Sequence, residues 1–303
     1  MPDLRQLLAR CTSRIAQAER LDAESRADAA REARLLVSGV LRITPGELAQ
    51  RLSAVPSSLP SALPSALMSH EDIERIELAL HRRLRGEPLA YAVGWAPFRH
   101  LELMVDERVL IPRPETEEVV GHALAVTADQ SGGLAVDIGT GSGAIALSLA
   151  TEGRFSEVVA TDVSEDALAV AAANAQRVLG PSHASVMFRH GSDLAPLDGL
   201  RPRVIVSNPP YIAYDEAAAL PAAVRDWEPP LALFASDGGM ARYRALIDGA
   251  HDVLFPGGWL VLELDASRAG ITAELAVARG YQQVQVKQDL AGRDRVLLAQ
   301  VPA

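Results

Sequence analysis

Residues 134–147 read Leu-Ala-Val-Asp-Ile-Gly-Thr-Gly-Ser-Gly-Ala-Ile-Ala-Leu, and this stretch constrains the fold more than any other. An apolar strand ends at Asp137. Three glycines at alternate positions, Gly139, Gly141 and Gly143, then form a turn whose backbone is open to positive φ and to close approach by a ligand. The apolar run that follows opens a helix, and its first N–H groups have no partner within that helix. Strand, glycine turn and helix in that order form a βα unit, the building block of a parallel sheet.

The pattern repeats downstream. Beyond residue 116 short apolar runs alternate with longer helical stretches. Strands are expected near 134–137, 157–162, 185–190, 203–207, 258–264, 283–287 and 295–300. Helices are expected at 115–128, 143–151, 165–179, 239–254 and 269–279, with Ser164 capping the third. Such alternation gives a doubly wound sheet with ligands above the strand C-termini. Only a short turn separates the last two strands, so the sheet is expected to finish antiparallel.

Upstream the spacing is helical. Leu4/Leu7/Leu8/Cys11/Ile15, Ala33/Leu36/Val37/Val40 and Ile73/Ile76/Leu80/Leu84 each form a stripe at three- and four-residue intervals. Thr44-Pro45-Gly46-Glu47 reads as a helix start with proline in first position. Residues 55–67, with a doubled Leu-Pro-Ser-Ala, read as an exposed, mobile connection. Three regions follow: a helical bundle over 1–85, a hairpin linker over 86–110 with strand-like runs at 91–95 and 101–105, and an α/β domain over 111–303.

A chain of 303 residues, 49% of them hydrophobic, can bury one large core and one small one. It has no apolar run long enough to span a membrane. The N-terminal stripe is too charged for a signal peptide and too acidic for a transit peptide. Its single cysteine excludes an internal disulfide or a cysteine metal cluster. The seven histidines show no paired ligand spacing, so no metal is expected and a reducing cytoplasm is. A net charge of −10 opposes stable nucleic-acid binding. The strip His81-Arg82-Arg83-Leu84-Arg85 reads as a solvated helix end favoured by the dipole, or as a docking contact.

The glycine spacing is Gly-x-Gly-x-Gly, not the Gly-x-Gly-x-x-Gly of a pyrophosphate site. The next strand ends in Asp162, an acid placed to take ribose hydroxyls, since Ser164 already fills the capping role. A nucleoside without a bridging diphosphate is indicated, and S-adenosylmethionine fits. A second motif, Asn208-Pro209-Pro210-Tyr211, follows the apolar run Val204-Ile205-Val206-Ser207. Two prolines stiffen the loop and remove two donors. A side-chain amide, free carbonyls and an aromatic ring remain, able to accept both hydrogens of a planar NH2 group. The plainer reading of the same residues is a stiff surface turn.

In this order, about two βα units apart, the motifs resemble class I S-adenosylmethionine methyltransferases acting on amino or amide nitrogens. Gly86-Glu87-Pro88-Leu89-Ala90-Tyr91 and Leu110-Ile111-Pro112-Arg113-Pro114-Glu115-Thr116-Glu117 narrow the resemblance to the peptide chain release factor glutamine methyltransferase family. With the segment Asp289-Leu290-Ala291-Gly292-Arg293-Asp294-Arg295 it spans about residues 82–300. The resemblance implies a seven-stranded Rossmann-like α/β sheet, mostly parallel with its last strand antiparallel, behind a small N-terminal helical bundle and a hairpin linker.

It also implies the reaction: methyl transfer from S-adenosylmethionine, leaving S-adenosylhomocysteine, to the glutamine amide nitrogen in the Gly-Gly-Gln motif of class I release factors. Gly139, Thr140, Gly141, Ser142 and Gly143 would lie at the methionine end and Asp162 at the ribose. Asp193 is placed to meet the adenine amine or is a turn aspartate; Leu194 follows it where the family usually has an aromatic. Asn208, which also borders the cofactor, and Pro209 would accept the two amide hydrogens, with Pro210 stiffening the loop and Tyr211 packing on the substrate. Arg113, Glu115 and Thr116 line the cofactor and substrate mouth or simply begin a helix. A further departure is Glu263-Leu264-Asp265-Ala266-Ser267-Arg268, which lacks the glycine and glutamine usual after that glutamate. The partners implied are release factors, docked by the bundle, with no membrane and no stable nucleic acid, the enzyme being a cytoplasmic monomer. Two rival readings are an adenine N6 or guanine N2 methyltransferase, since the loop suits a flipped base, and a non-catalytic binding module.

Overall fold

A computed structural model describes residues 3–53, 68–129, 131–180 and 185–303; the connection at 55–67 lies outside them. The chain divides into two units, Met1–Trp95 with Pro221–Trp227, and Ala96–Leu220 with Glu228–Ala303.

In the first unit the helical stripes become α1 (Leu4–Ala16), α2 (Ala23–Ala27), α3 (Ala29–Leu41), α4 (Pro45–Ser53), α5 (His70–Leu84) and α6 (Leu89–Val93). Leu7, Cys11 and Ile15 of α1 meet Leu36 and Val37 of α3 and Ile76 and Leu80 of α5 in one core, all of them fully buried. The helix starts are capped by side chains: Asp3 accepts from the Gln6 N–H at 2.8 Å and Ser69 from the Asp72 N–H at 3.0 Å. Thr44 and Glu47 exchange hydrogen bonds across the first turn of α4. The basic strip is not a free cationic surface. Arg83 is buried and donates to Glu32 at 2.7 Å, Arg82 pairs with Glu87, and Arg85 lies 3.6 Å from the same acid.

Residues 91–95, expected as a strand, are corrected by the structure. Tyr91 and Ala92 lie in α6, which follows Pro88 and closes on Gly94 at φ 84°, a left-handed position that suits glycine. The alternation is too short to outweigh a proline before it and a glycine after it. The hairpin therefore pairs β1 (Trp95–Phe98) with β2 (Leu101–Met104).

The rest of the chain alternates as expected: α7 (Pro114–Val126), β3 (Leu134–Ile138), α8 (Ala144–Glu152), β4 (Glu157–Asp162), α9 (Glu165–Leu179), β5 (Val186–His190) and β6 (Val204–Ser207). Two one-turn helices follow, α10 (Ala222–Arg225) and α11 (Pro230–Leu233), then α12 (Ala241–Val253), β7 (Trp259–Glu263), α13 (Ala269–Arg279), β8 (Gln282–Gln288) and β9 (Asp294–Gln300). The seven strands lie in the order β5-β4-β3-β6-β7-β9-β8. β9 runs antiparallel to both neighbours and the other pairings are parallel. One face packs on α7, α8 and α9 through residues such as Val119, Leu147 and Ala175; the other packs on α12 and α13 through Tyr243, Ile247 and Ala276. Strand order reverses at β3, whose Ile138 lies level with Thr161 of β4 and Ser207 of β6. A crevice opens where the chain leaves such neighbouring strands in opposite directions. No helix among the described residues is long and apolar enough to cross a membrane.

Candidate active site

The glycine turn is braced from below by Asp137. Its Oδ2 accepts from the Thr140 hydroxyl at 2.6 Å and the Ala146 N–H at 3.1 Å, tying the turn to the start of α8. Its Oδ1 has no hydrogen-bond partner among the described residues. Burial pushes this carboxyl up to about 7, against the pull of those two donors. The glycines divide the work above it. A Cβ on Gly139 or Gly141, both at positive φ, would project into open space, whereas one on Gly143 would press on Leu147 and Ala171. The first two glycines thus leave room for a ligand and the third lets two helices pack.

At the end of β4, Asp162 accepts from the Gly141 N–H and, through its other oxygen, from the Ser164 N–H, both at 2.9 Å. Ser164 caps α9 through the Ala167 N–H at 3.1 Å, as the sequence predicts.

Gly139, Gly141, Asp162, Asp193, Asn208, Pro209 and Pro210 come together around a cleft of about 870 Å³, part of it open to solvent. Ile138, Val163 and Leu246 add apolar wall. Other candidate residues stand behind this surface. Thr140 and Ser142 are buried beneath the turn, and Gly143 lies between helices. Leu194 turns its side chain against Gly249 of α12. Tyr211 packs against the core below, and burial pushes its hydroxyl up to about 12. Arg113 donates to Glu228 at 2.6 Å, and Glu115 lies 3.4 Å from Arg293.

Three groups that the sequence reading did not single out for the site shape it. Arg242 lines the cleft and donates to Asp193 at 2.8 Å, with Asp193 itself at φ 51°. Buried Glu228 accepts from Ile111 N–H and from Arg113, anchoring the Ile-Pro-Arg segment. Glu263, 1% exposed, accepts from the Thr116 hydroxyl at 2.6 Å, and the Asn208 Nδ2 donates to that same hydroxyl oxygen at 3.0 Å. The signal for Glu263 was present: an acid closing an apolar strand, the pattern that marks Asp137 and Asp162 as well.

These residues fit S-adenosylmethionine. Open space lies above two glycines, and each Asp162 oxygen makes one hydrogen bond, leaving lone pairs for sugar hydroxyls. Asp193 and the apolar side chains of Ile138, Val163 and Leu246 line the same cleft.

Comparison with known proteins agrees. The model described as the methyltransferase small domain matches residues 121–224, and that of the PrmC N-terminal domain matches residues 6–94. A crystal structure of a methyltransferase from Pyrococcus furiosus superimposes with a TM-score of 0.51 at 21% identity, covering 67% of this chain and 90% of that one. Fold and cleft together define a methyltransferase. The release factor glutamine methyltransferase of Cereibacter sphaeroides is 39% identical over 94% of this chain and 95% of its own length. That of Moorella thermoacetica is 45% identical over 73% and 77%. The chain belongs to the release factor glutamine methyltransferase family.

Proposed function

We propose that this enzyme transfers the methyl group of S-adenosylmethionine to the side-chain amide nitrogen of the glutamine in the Gly-Gly-Gln motif of class I peptide chain release factors. The observation that carries the reading is the placement of Asn208-Pro209-Pro210 on the wall of the cleft that Gly139, Gly141 and Asp162 also line. Family membership names the substrate class. In this reading residues 1–85 dock the factor, 86–110 link, and 111–303 hold the chemistry. The enzyme acts as a cytoplasmic monomer.

A glutamine amide nitrogen is a poor nucleophile because its lone pair is shared with its carbonyl. Bound S-adenosylmethionine supplies a methyl group on a positively charged sulfur. Asn208 Oδ1 and the Pro209 carbonyl accept the two amide hydrogens, aiming the nitrogen and increasing its electron density. Pro210 keeps that loop stiff, and Tyr211 supports the substrate side chain from behind. The nitrogen lone pair forms the new N–C bond while the sulfur retains the old C–S pair; the surplus amide proton leaves to water at the cleft mouth. Asp162 would take the ribose hydroxyls, the turn Gly139-Thr140-Gly141-Ser142-Gly143 would meet the methionine end through the backbone at Gly139 and Gly141, and Asp193 with the Leu194 backbone would border the adenine. Arg113 and Glu115 shape the mouth from the start of α7.

The test is transfer from methyl-labelled S-adenosylmethionine to purified release factor, with the Gln of Gly-Gly-Gln changed to Ala as control. Label on the unaltered factor alone is expected. Label on neither factor, with cofactor still bound, overturns the assignment, as does label appearing only on nucleic acid.

A further inference from the structure

We propose that Thr116 and Glu263 form a positioning pair that fixes which end of the Asn208 side chain faces the substrate, an assignment that rests on the function proposed above. Strands β6 and β7 are adjacent, with Ser207 opposite Leu262, so Asn208 and Glu263 leave the sheet side by side. The first turn of α7 covers them and buries Thr116. Neither Thr116 nor Glu263 lines the cleft.

The hydrogen-bond chain has a direction. An ionised carboxylate only accepts, so the single hydroxyl hydrogen of Thr116 goes to Glu263 at 2.6 Å. Toward Asn208 the Thr116 oxygen is then an acceptor, and only the NH2 end of the amide satisfies it, at 3.0 Å. The Asn208 Oδ1 is left pointing the other way, an acceptor without competition from Thr116. The opposite orientation would set two oxygens against each other with no hydrogen between them. A substrate NH2 group needs that acceptor, so a buried acid that touches neither substrate nor cofactor decides whether the acceptor is presented.

Protonating Glu263 removes the constraint. A carboxylic acid donates to the Thr116 oxygen, which frees the Thr116 hydrogen for Asn208 Oδ1 and lets the amide turn over. The groups facing Glu263 are Arg295 on β9, Arg113 and Glu115 at the start of α7, Tyr211 beyond β6 and Tyr243 on α12. Asp289 stands behind Arg295 at 3.5 Å. Burial dominates and pushes Glu263 up to about 7; the Thr116 hydroxyl, Arg295 and Arg113 oppose it, and Glu115 adds to the rise. Tyr211, pushed up to about 12, stays neutral across this range. Methyl transfer therefore falls as pH drops through about 7.

The experiment compares Thr116→Val, Thr116→Ser and Glu263→Gln in the full chain. Thr116→Val is expected to lower kcat about 10- to 100-fold with KM for S-adenosylmethionine changed by less than about threefold, as for other groups that orient a functional residue. Thr116→Ser restores most of the rate, and Glu263→Gln, which cannot titrate, loses the acid limb of the kcat profile. A second readout needs no substrate. The Asn208 side-chain amide signal in 15N-labelled protein should move with pH in the wild type and stay fixed in Glu263→Gln. Undiminished kcat in Thr116→Val, or an unchanged acid limb and amide titration in Glu263→Gln, overturns the proposal. If the wild type methylates no glutamine, the functional assignment has failed instead, and the amide titration still decides the pair.

Discussion

Replacing Glu263 by glutamine is expected to stabilise the protein at alkaline pH, even though it removes a group assigned to function. Burial lifts this carboxyl from its ordinary 4.5 to about 7. A group whose proton is held more tightly in the folded state contributes stability that is complete below the unfolded value and is lost as pH rises through the folded one. From pH 4.5 to beyond pH 7 the loss is on the order of 3 kcal/mol, taking about 1.4 kcal/mol for each tenfold change in proton affinity. Glutamine keeps the shape, still accepts from Thr116 and never ionises. Urea unfolding of both proteins side by side cancels every other titrating group. The difference is expected to be close to zero near pH 4.5 and to reach about 3 kcal/mol by pH 8, with a Tm higher by roughly 6–12 °C for a unit of this size. A variant less stable than wild type at pH 8, or a difference that does not change with pH, refutes the reasoning. Agreement would mean that this position trades stability for the orientation of Asn208.

Asn208→Ala removes the acceptor aimed at the substrate nitrogen and is expected to lower kcat about 30- to 1000-fold, on the order of 2–4 kcal/mol of barrier; single-turnover transfer within threefold of wild type contradicts it. Gly141→Ala places a methyl group in the open space of the cleft at φ 54°, and calorimetry is expected to show cofactor affinity reduced about tenfold or more. Unchanged affinity would mean that the ligand does not approach this turn. Leu36→Ala, at a fully buried site in the core of the first unit, is expected to cost about 2–5 kcal/mol in denaturant unfolding; a cost below about 1 kcal/mol would place Leu36 outside the core.

Elements set by local chemistry were legible. Ser164 followed by acids bounds α9 at Glu165–Leu179, and the apolar run before Gly280 bounds α13 at Ala269–Arg279, both as expected. Each begins or ends on a side-chain cap or a left-handed glycine, which act within a few residues. Where local signals compete the sequence misleads: residues 91–95 alternate like a strand, but Leu89–Val93 lies between Pro88 and Gly94, which favour a helical turn.

The glycine turn, the acids at strand ends and the rigid Asn-Pro-Pro loop are properties of the sequence alone, because φ restrictions and the placement of unpaired backbone donors travel with the residues. The partners of those groups are not. Thr116 meets Asn208 and Glu263 across 92 and 147 residues of chain, and Arg242 meets Asp193 across 49. Only the strand order β3-β6-β7, with α7 laid over it, makes them neighbours. Burial then lifts the Glu263 carboxyl toward neutrality, a property that desolvation creates and that no stretch of sequence carries by itself.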